Sequence, residues 1–173
     1  MAHSVEVLFD AETDAALRRA WHALTAAGLP SQAGHTGASN RPHVTLAVAD
    51  AIAAEVDAGL IGLADLLPLD CVIGAPLLFG AGRFTLARLI VPSAALLGLQ
   101  AMVHQVCVPH MTAGPAPHTT PGRWTPHVTL ARRLSAAQLE AAVGVVQGAD
   151  LVGRCVGLRR WDGDQRVEHI LVS

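Results

Sequence analysis

Pro42-His43-Val44-Thr45-Leu46-Ala47 recurs without change as Pro126-His127-Val128-Thr129-Leu130-Ala131. Chance seldom repeats six residues, even in a chain this rich in alanine. The two histidines stand 84 residues apart in a chain of 173, close to half its length. That spacing points to two related halves facing each other, because a solenoid repeats at a shorter period. Each copy has the composition of a strand, in which residues i and i+2 share a face. His43 and Thr45 therefore project to one side, and Val44 and Leu46 to the other. His127 and Thr129 do the same in the second copy. The His and Thr Cα atoms of one strand lie about 6.5 Å apart. The apolar side can pack beneath helices while imidazole and hydroxyl line a cleft. Pro42 and Pro126 fall at the first position of a strand, where the missing N–H removes no ladder bond.

Two opposed imidazoles suit in-line displacement at phosphorus. A neutral ring takes a proton from the attacking hydroxyl, and a charged ring gives one to the leaving oxygen; histidine supplies both forms near neutral pH. Two threonine hydroxyls can donate to the non-bridging oxygens as charge builds there. No metal is required. A single HxT on a strand is most often a half-buried histidine beside a β-former. Two copies with matching flanks, half a chain apart, favour a site. The same four groups would also serve a module that holds a nucleotide or RNA-end phosphate without turnover, and a metallohydrolase is a third reading.

Outward from the repeat, the patterning gives an α+β fold with helices covering sheets. Residues 5–9 read as a strand. A helix over 10–27 follows, with Ala16, Leu17, Ala20, Trp21 and Leu24 on one face, stopped by Gly28 and Pro30. Residues 42–49 form the first motif strand. A helix over 51–66 follows, interrupted by Gly59 and Gly62. Strands over 69–79 and 83–91 meet near Gly80 and Gly82, and a helix over 93–106 starts at Ser93. After a loop of Pro, Thr, His and Gly over 109–122 comes the second motif strand, 124–131. Ser135 caps a helix over 135–147. Residues 154–161 and 167–172 close the chain as a hairpin around Asp162-Gly163-Asp164.

Composition excludes several chemistries. All twelve basic residues are Arg, and there is neither Lys nor Tyr. A P-loop of the GxxxxGK[ST] type, a lysine Schiff base, a lysine adenylate and a tyrosine nucleophile are therefore ruled out. Net charge is −2 and there is no basic tail, which argues against non-specific grip on long nucleic acid. The first residues lack the basic start and apolar run of a signal peptide. The most apolar stretch, 89–108, is broken by Pro92, Ser93, Gln100, His104 and Gln105, so no membrane span is expected. Cys71, Cys107 and Cys155 are widely spaced and read as free thiols in a reducing cytoplasm.

Other side chains have weaker claims. Trp124 stands three residues before His127 and is placed to stack on a base at the cleft mouth, or to pack at the strand start. Cys107 and His110, with His104 and His118 nearby, make a poor metal set, since HExxH and paired CxxC are absent. No metal and no cofactor are expected. His118 reads as a solvent-exposed loop residue. Arg41, Arg83 and Arg123 are not separable from surface charge. Phe9 and Trp161 read as core, and His22 and His169 as structural.

On the tandem HxT motif, with the strands and helices around it, the chain resembles the 2H phosphoesterase superfamily. More narrowly it is similar to the bacterial 2′-5′ RNA ligase or RNA 2′,3′-cyclic phosphodiesterase group. The resemblance spans nearly the whole chain. It implies a bilobal fold in which two antiparallel sheets, related by a pseudo-two-fold, face a central cleft with helices outside. The chain would be one domain, residues 1–173, each lobe carrying one HxT. His43 is implied as proton donor and His127 as the acceptor that activates water. Thr45 and Thr129 match the phosphate-binding hydroxyls. Arg132, five residues after His127, falls where some members carry a substrate arginine. The implied activity is hydrolysis of 2′,3′-cyclic phosphates at RNA ends or on small nucleotides. Without lysine, any 2′-5′ joining must be that chemistry reversed. A cytoplasmic monomer with no obligatory protein partner is expected.

Overall fold

A computed structural model describes residues 2–173. Strand β1 (His3–Phe9) leads into helix α1 (Ala11–Ala26), whose first turn is capped by the Asp10 carboxylate accepting from the Thr13 N–H at 2.9 Å. Leu17, Trp21 and Leu24, at helical spacing, are its buried face. The first motif strand, β2 (His43–Ala49), and a short α2 (Val56–Ile61) follow. Strands β3 (Leu69–Phe79) and β4 (Phe84–Ile90) form a hairpin, and α3 (Ala94–Cys107) begins with Ser93 capping the Leu96 N–H. The second motif strand is β5 (His127–Leu134). Helix α4 (Leu139–Val146) and the hairpin β6 (Leu151–Asp162) and β7 (Val167–Val172) complete the chain.

All seven strands join one antiparallel sheet, ordered β1-β2-β5-β4-β3-β6-β7, in which β1 also pairs with β6. The sheets expected on either side of the cleft are therefore hydrogen-bonded to each other. The physical reason is the length of β6. Its first residues, through Cys155, pair with β3, and its later ones pair with β7 along the same edge, while β1 occupies the other edge. At the opposite seam β2 and β5 meet at one register position, Val44 with Val128. The apolar sides of the motif strands are sealed: Val44, Leu46, Val128 and Leu130 are fully buried. Helix α3 packs on β2, while α1 packs on β5, β6 and α4. Each motif strand is thus backed by a helix from the other half of the chain.

Element boundaries depart from the sequence reading by three residues or more in four places, of which the first is the second motif strand, expected over 124–131 and found as His127–Leu134. The helix expected over 51–66 shrinks to α2 and a single 3-10 turn, Ala64–Leu66. Ile52 bridges to Met111 as an extended residue, and Gly62 ends the helix. Gly59 permits the close packing of α2 on α3, because a Cβ there would stand 2.8 Å from Val106 Cγ1. The helix expected over 135–147 opens as a 3-10 turn, Ala136–Gln138, with Ser135 and Gln138 forming a capping box. Strand β6 starts three residues before the expected 154, where it meets β3. No helix of the described residues is long and apolar enough to cross a membrane.

Candidate active site

The Val44–Val128 pair is the local pivot of the site. Continuing that antiparallel register by one residue in each direction sets His43 opposite Thr129 and Thr45 opposite His127. All four side chains line one cleft of ≈ 510 Å³. The strand alternation therefore delivers both imidazole–hydroxyl couples to the same space.

Both rings are anchored the same way. His43 Nδ1 lies 2.8 Å from the Arg41 carbonyl, and His127 Nδ1 lies 2.7 Å from the Thr125 carbonyl. A carbonyl only accepts, so Nδ1 of each ring carries a proton and donates it. Nε2 is left to take up or release a proton, and the tautomer is fixed by backbone two residues away. The threonines are braced in parallel fashion. Trp124 Nε1–H donates to the Thr45 carbonyl at 2.9 Å, and Trp21 Nε1–H donates to the Thr129 carbonyl at 3.1 Å. Each indole supplies a donor to a motif strand from outside the ladder.

The surroundings of the two rings are unlike. His43 Nε2 stands 3.6 Å from Glu6 Oε1. Glu6 is only 6% exposed, and Ser4 Oγ donates to it at 2.6 Å. Arg159, 4% exposed, meets the other carboxylate oxygen with Nε and Nη2, each at 2.7 Å. The far side of that guanidinium holds Glu168 and the Ser39 carbonyl, both at 2.7 Å. Burial is the largest influence on Glu6 and opposes its charge. Attraction to His43 and Arg159, with hydrogen bonds from Ser4 and Arg159, outweighs it and holds the carboxyl below its ordinary value. Arg159 Nη2 also comes within 3.4 Å of His43 Nδ1, but that nitrogen's proton belongs to the shorter bond to Arg41.

Among the described residues, His127 has no carboxylate paired with it. Its ring leans on Phe79, with centroids 4.6 Å apart and planes at 48°. Burial lowers its pKa most; Arg132, His43 and His118 lower it further, against the opposing effect of the Thr125 carbonyl. Neutral His127 is thus the favoured form.

The six residues given catalytic or substrate-binding roles from sequence all line this cleft: His43, Thr45, Trp124, His127, Thr129 and Arg132. Trp124 packs against the core and also lines the cleft. Arg123 also lines it, whereas Arg41 faces Glu168 at 3.6 Å and Arg83 donates to the Arg133 carbonyl. His118 is exposed and lies on the cleft wall, where sequence reading had it as an ordinary loop residue. His104, His110 and Cys107 lie outside the lining. Cys107 is buried on α3, which pushes its thiol up to about 12. Sequence reading missed Ser4, Glu6, Arg159 and Phe79. A signal for the first two existed: on β1 they alternate with the core residues Val5 and Val7. Among the described residues, no three His, Cys, Asp or Glu side chains are grouped to hold a metal ion.

Comparison with known proteins follows the same lines. No curated protein matches the sequence. Solved structures do match over 99% of this chain. TT0787 of Thermus thermophilus matches at 18% identity and TM-score 0.58 over 95% of its own chain. Escherichia coli LigT matches at 18% identity and TM-score 0.56 over 94% of its chain. Kluyveromyces marxianus Usb1 matches at 14% identity and TM-score 0.55 over 98% of its chain. LigT has been crystallised with 3′-AMP and with ATP, and Usb1 with uridine monophosphate. At these identities the likeness establishes a shared fold. The sequence itself matches the 2′-5′ RNA ligase superfamily over residues 10–164, most of its length: this chain belongs to the 2′-5′ RNA ligase superfamily of 2H phosphoesterases.

Proposed function

We propose that this protein is a metal-independent phosphodiesterase that opens 2′,3′-cyclic phosphates at RNA ends or on small nucleotides. The reading treats the chain as one domain of two lobes, each contributing one HxT. The observation that carries it is the pair of identically anchored imidazoles in one cleft, set in opposite electrostatic surroundings.

That asymmetry supports a division of roles. His127, whose pKa is lowered first by burial and then by Arg132, His43 and His118, favours its neutral form and serves as base. His43, whose Nε2 faces the ionised Glu6, serves as acid. Water attacks phosphorus in line, and its proton passes to His127 Nε2. The bond from phosphorus to one ribose oxygen breaks, and that oxygen takes the proton from His43 Nε2. The product is a ribose phosphomonoester with a free neighbouring hydroxyl. Proton exchange with solvent then resets both rings. Thr45 and Thr129 hydroxyls donate to the non-bridging oxygens as they gain charge. Arg132 and Trp124 serve as phosphate and base contacts on the cleft wall. A ribose 5′-hydroxyl in place of water turns the same ring opening into 2′-5′ joining. It bonds to phosphorus as its proton passes to His127, the bond to the ribose 3′-oxygen breaks, and that oxygen takes the proton from His43. No lysine adenylate is needed, which suits a chain without lysine. Co-crystallised nucleotides in LigT and Usb1 support nucleotides as the ligand class. We propose a monomer in the cytoplasm, the location being in keeping with three free, buried thiols.

Incubation with a 2′,3′-cyclic mononucleotide, with and without a chelator, tests this. Hydrolysis that survives the chelator is the expected outcome. Activity lost with the chelator refutes metal independence. Tight binding with no product from cyclic or 2′-5′-linked substrates would leave a binding module instead.

A further inference from the structure

A second hollow of ≈ 570 Å³ adjoins the cleft and shares Glu6 and His43 with it, but not His127. Its floor is the sheet itself. Ser4 pairs with Trp161 and Glu6 with Arg159 across β1 and β6, and directly paired residues share a face. Trp161 is therefore on the same face as Arg159 and Glu6, which reach His43. The alternate residue Arg160 points the other way, where its guanidinium forks onto the Asp57 carboxylate of α2 at 2.6 and 2.9 Å. One face of β6 is thus covered by a helix, and the other presents a half-buried indole to the hollow. Arg166, exposed on the β6–β7 turn, stands at its lip and makes no ion pair among the described residues. The far wall is the loop of residues 34–40, held in shape by the Asn40 amide donating to the Gln32 and His35 carbonyls at 2.9 and 2.8 Å.

We propose that this hollow is a subsite for the nucleotide next to the reacting one, which makes single-stranded RNA ending in a cyclic phosphate the preferred substrate over free cyclic mononucleotides. The inference rests on the phosphodiesterase reading above. In-line displacement puts water on the side of the base, His127, with nothing attached to it. Everything joined to the leaving ribose oxygen lies on the side of the acid, His43. The hollow opens on that side alone. An RNA strand leading away from the reacting ribose would cross His43 and run over the sheet face. A half-buried indole for stacking, beside a guanidinium with no ion pair among the described residues, is how single strands are held without sequence choice. The volume lies within the span of about 300–1,000 Å³ typical of ligand pockets.

The test compares a 2′,3′-cyclic mononucleotide with a trinucleotide ending in the same cyclic nucleotide. For the wild type, kcat/KM for the trinucleotide should be higher by about tenfold, carried by KM, as one stacked base provides. Trp161→Ala and the surface change Arg166→Ala should each bring the ratio of the two substrates toward one. A wild-type ratio near one, or a ratio that neither variant lowers, overturns the subsite. Failure of the wild type to hydrolyse either substrate would instead sink the phosphodiesterase reading. Fluorescence anisotropy of a labelled trinucleotide with a 3′-phosphate then still judges the hollow. Binding weakened by both variants supports it, and binding indifferent to both overturns it.

Discussion

Replacing Glu6 by Gln removes one charge from a buried chain of charges and leaves the shape almost unchanged. Glu6 and Arg159 are 6% and 4% exposed, and two guanidinium nitrogens stand 2.7 Å from one carboxylate oxygen. Breaking such a pair by removing one partner costs about 3–5 kcal/mol, because the remaining charge stays out of water. Arg159 keeps Glu168 and the Ser39 carbonyl, and the Gln oxygen can still accept from it. The loss should therefore sit near about 3 kcal/mol. For a chain of this size, that corresponds to a melting temperature lower by about 6–12 °C at pH 7. The folded-state pKa of Glu6 is depressed below its usual 4.5. The unfolded chain therefore binds the proton first as pH falls. The advantage of Glu6 over Gln is complete above the unfolded value and drains away as pH drops through the folded one. Thermal melts of both proteins from pH 7 down to pH 3 measure this directly. A variant that melts within about 2 °C of wild type at pH 7, less than 1 kcal/mol for this size, refutes the argument. So does a gap that keeps its full width in acid.

Three further outcomes follow from the site. His43→Ala and His127→Ala should each lower kcat/KM by about 10²–10⁴-fold, with the double variant losing less than the product of the two. The wild-type profile should be bell-shaped. Its acid limb belongs to the base, which must be neutral, and should fall below histidine's ordinary 6.5 because burial and neighbouring cations depress His127. An acid limb above that value, or one that survives in His127→Ala, contradicts the assignment. Trp124→Phe keeps a ring on the cleft wall but removes the 2.9 Å bond to the Thr45 carbonyl. It should cost about 0.5–1.5 kcal/mol in denaturant titration while changing KM less than Trp124→Ala does. Equal KM for the two variants would deny the ring any contact with substrate.

What could be read from sequence was what short-range rules carry. Strand alternation predicted which side of each motif reaches the cleft, and the buried Val44, Leu46, Val128 and Leu130 show the complement of that pattern. Asp10 and Ser93 announced their helices because capping is settled within three residues. The partners of the site were not legible, because they are distant in sequence. Glu6 and Arg159 are 153 residues apart, Trp21 and the Thr129 carbonyl 108, and Trp124 and the Thr45 carbonyl 79. Nothing local tells a strand glutamate that alternates with valines whether it faces water or a buried guanidinium. The overlong helix at 51–66 failed for a related reason. Ile52 is extended through its bridge to Met111, a contact with no signature in either segment.

The duplicated hexapeptide raises a chemical difficulty that the rest of the chain resolves. Two identical strands, with rings anchored by identical bonds to the carbonyl two residues earlier, would give two identical imidazoles. A symmetric pair has no reason to hold one proton on a particular ring, yet displacement needs an acid on one side of phosphorus and a base on the other. The difference must come from outside the repeat, and it does. β1 and β6 bring Glu6 and Arg159 to His43, while β3 brings Phe79 and the 109–122 loop brings His118 to the side of His127. On the proposed reading, the two halves of the chain supply the same pair of groups, and the non-repeated strands make the surroundings of the two rings unlike. An exchange of surroundings should therefore move the acid and base roles even with both HxT motifs left intact.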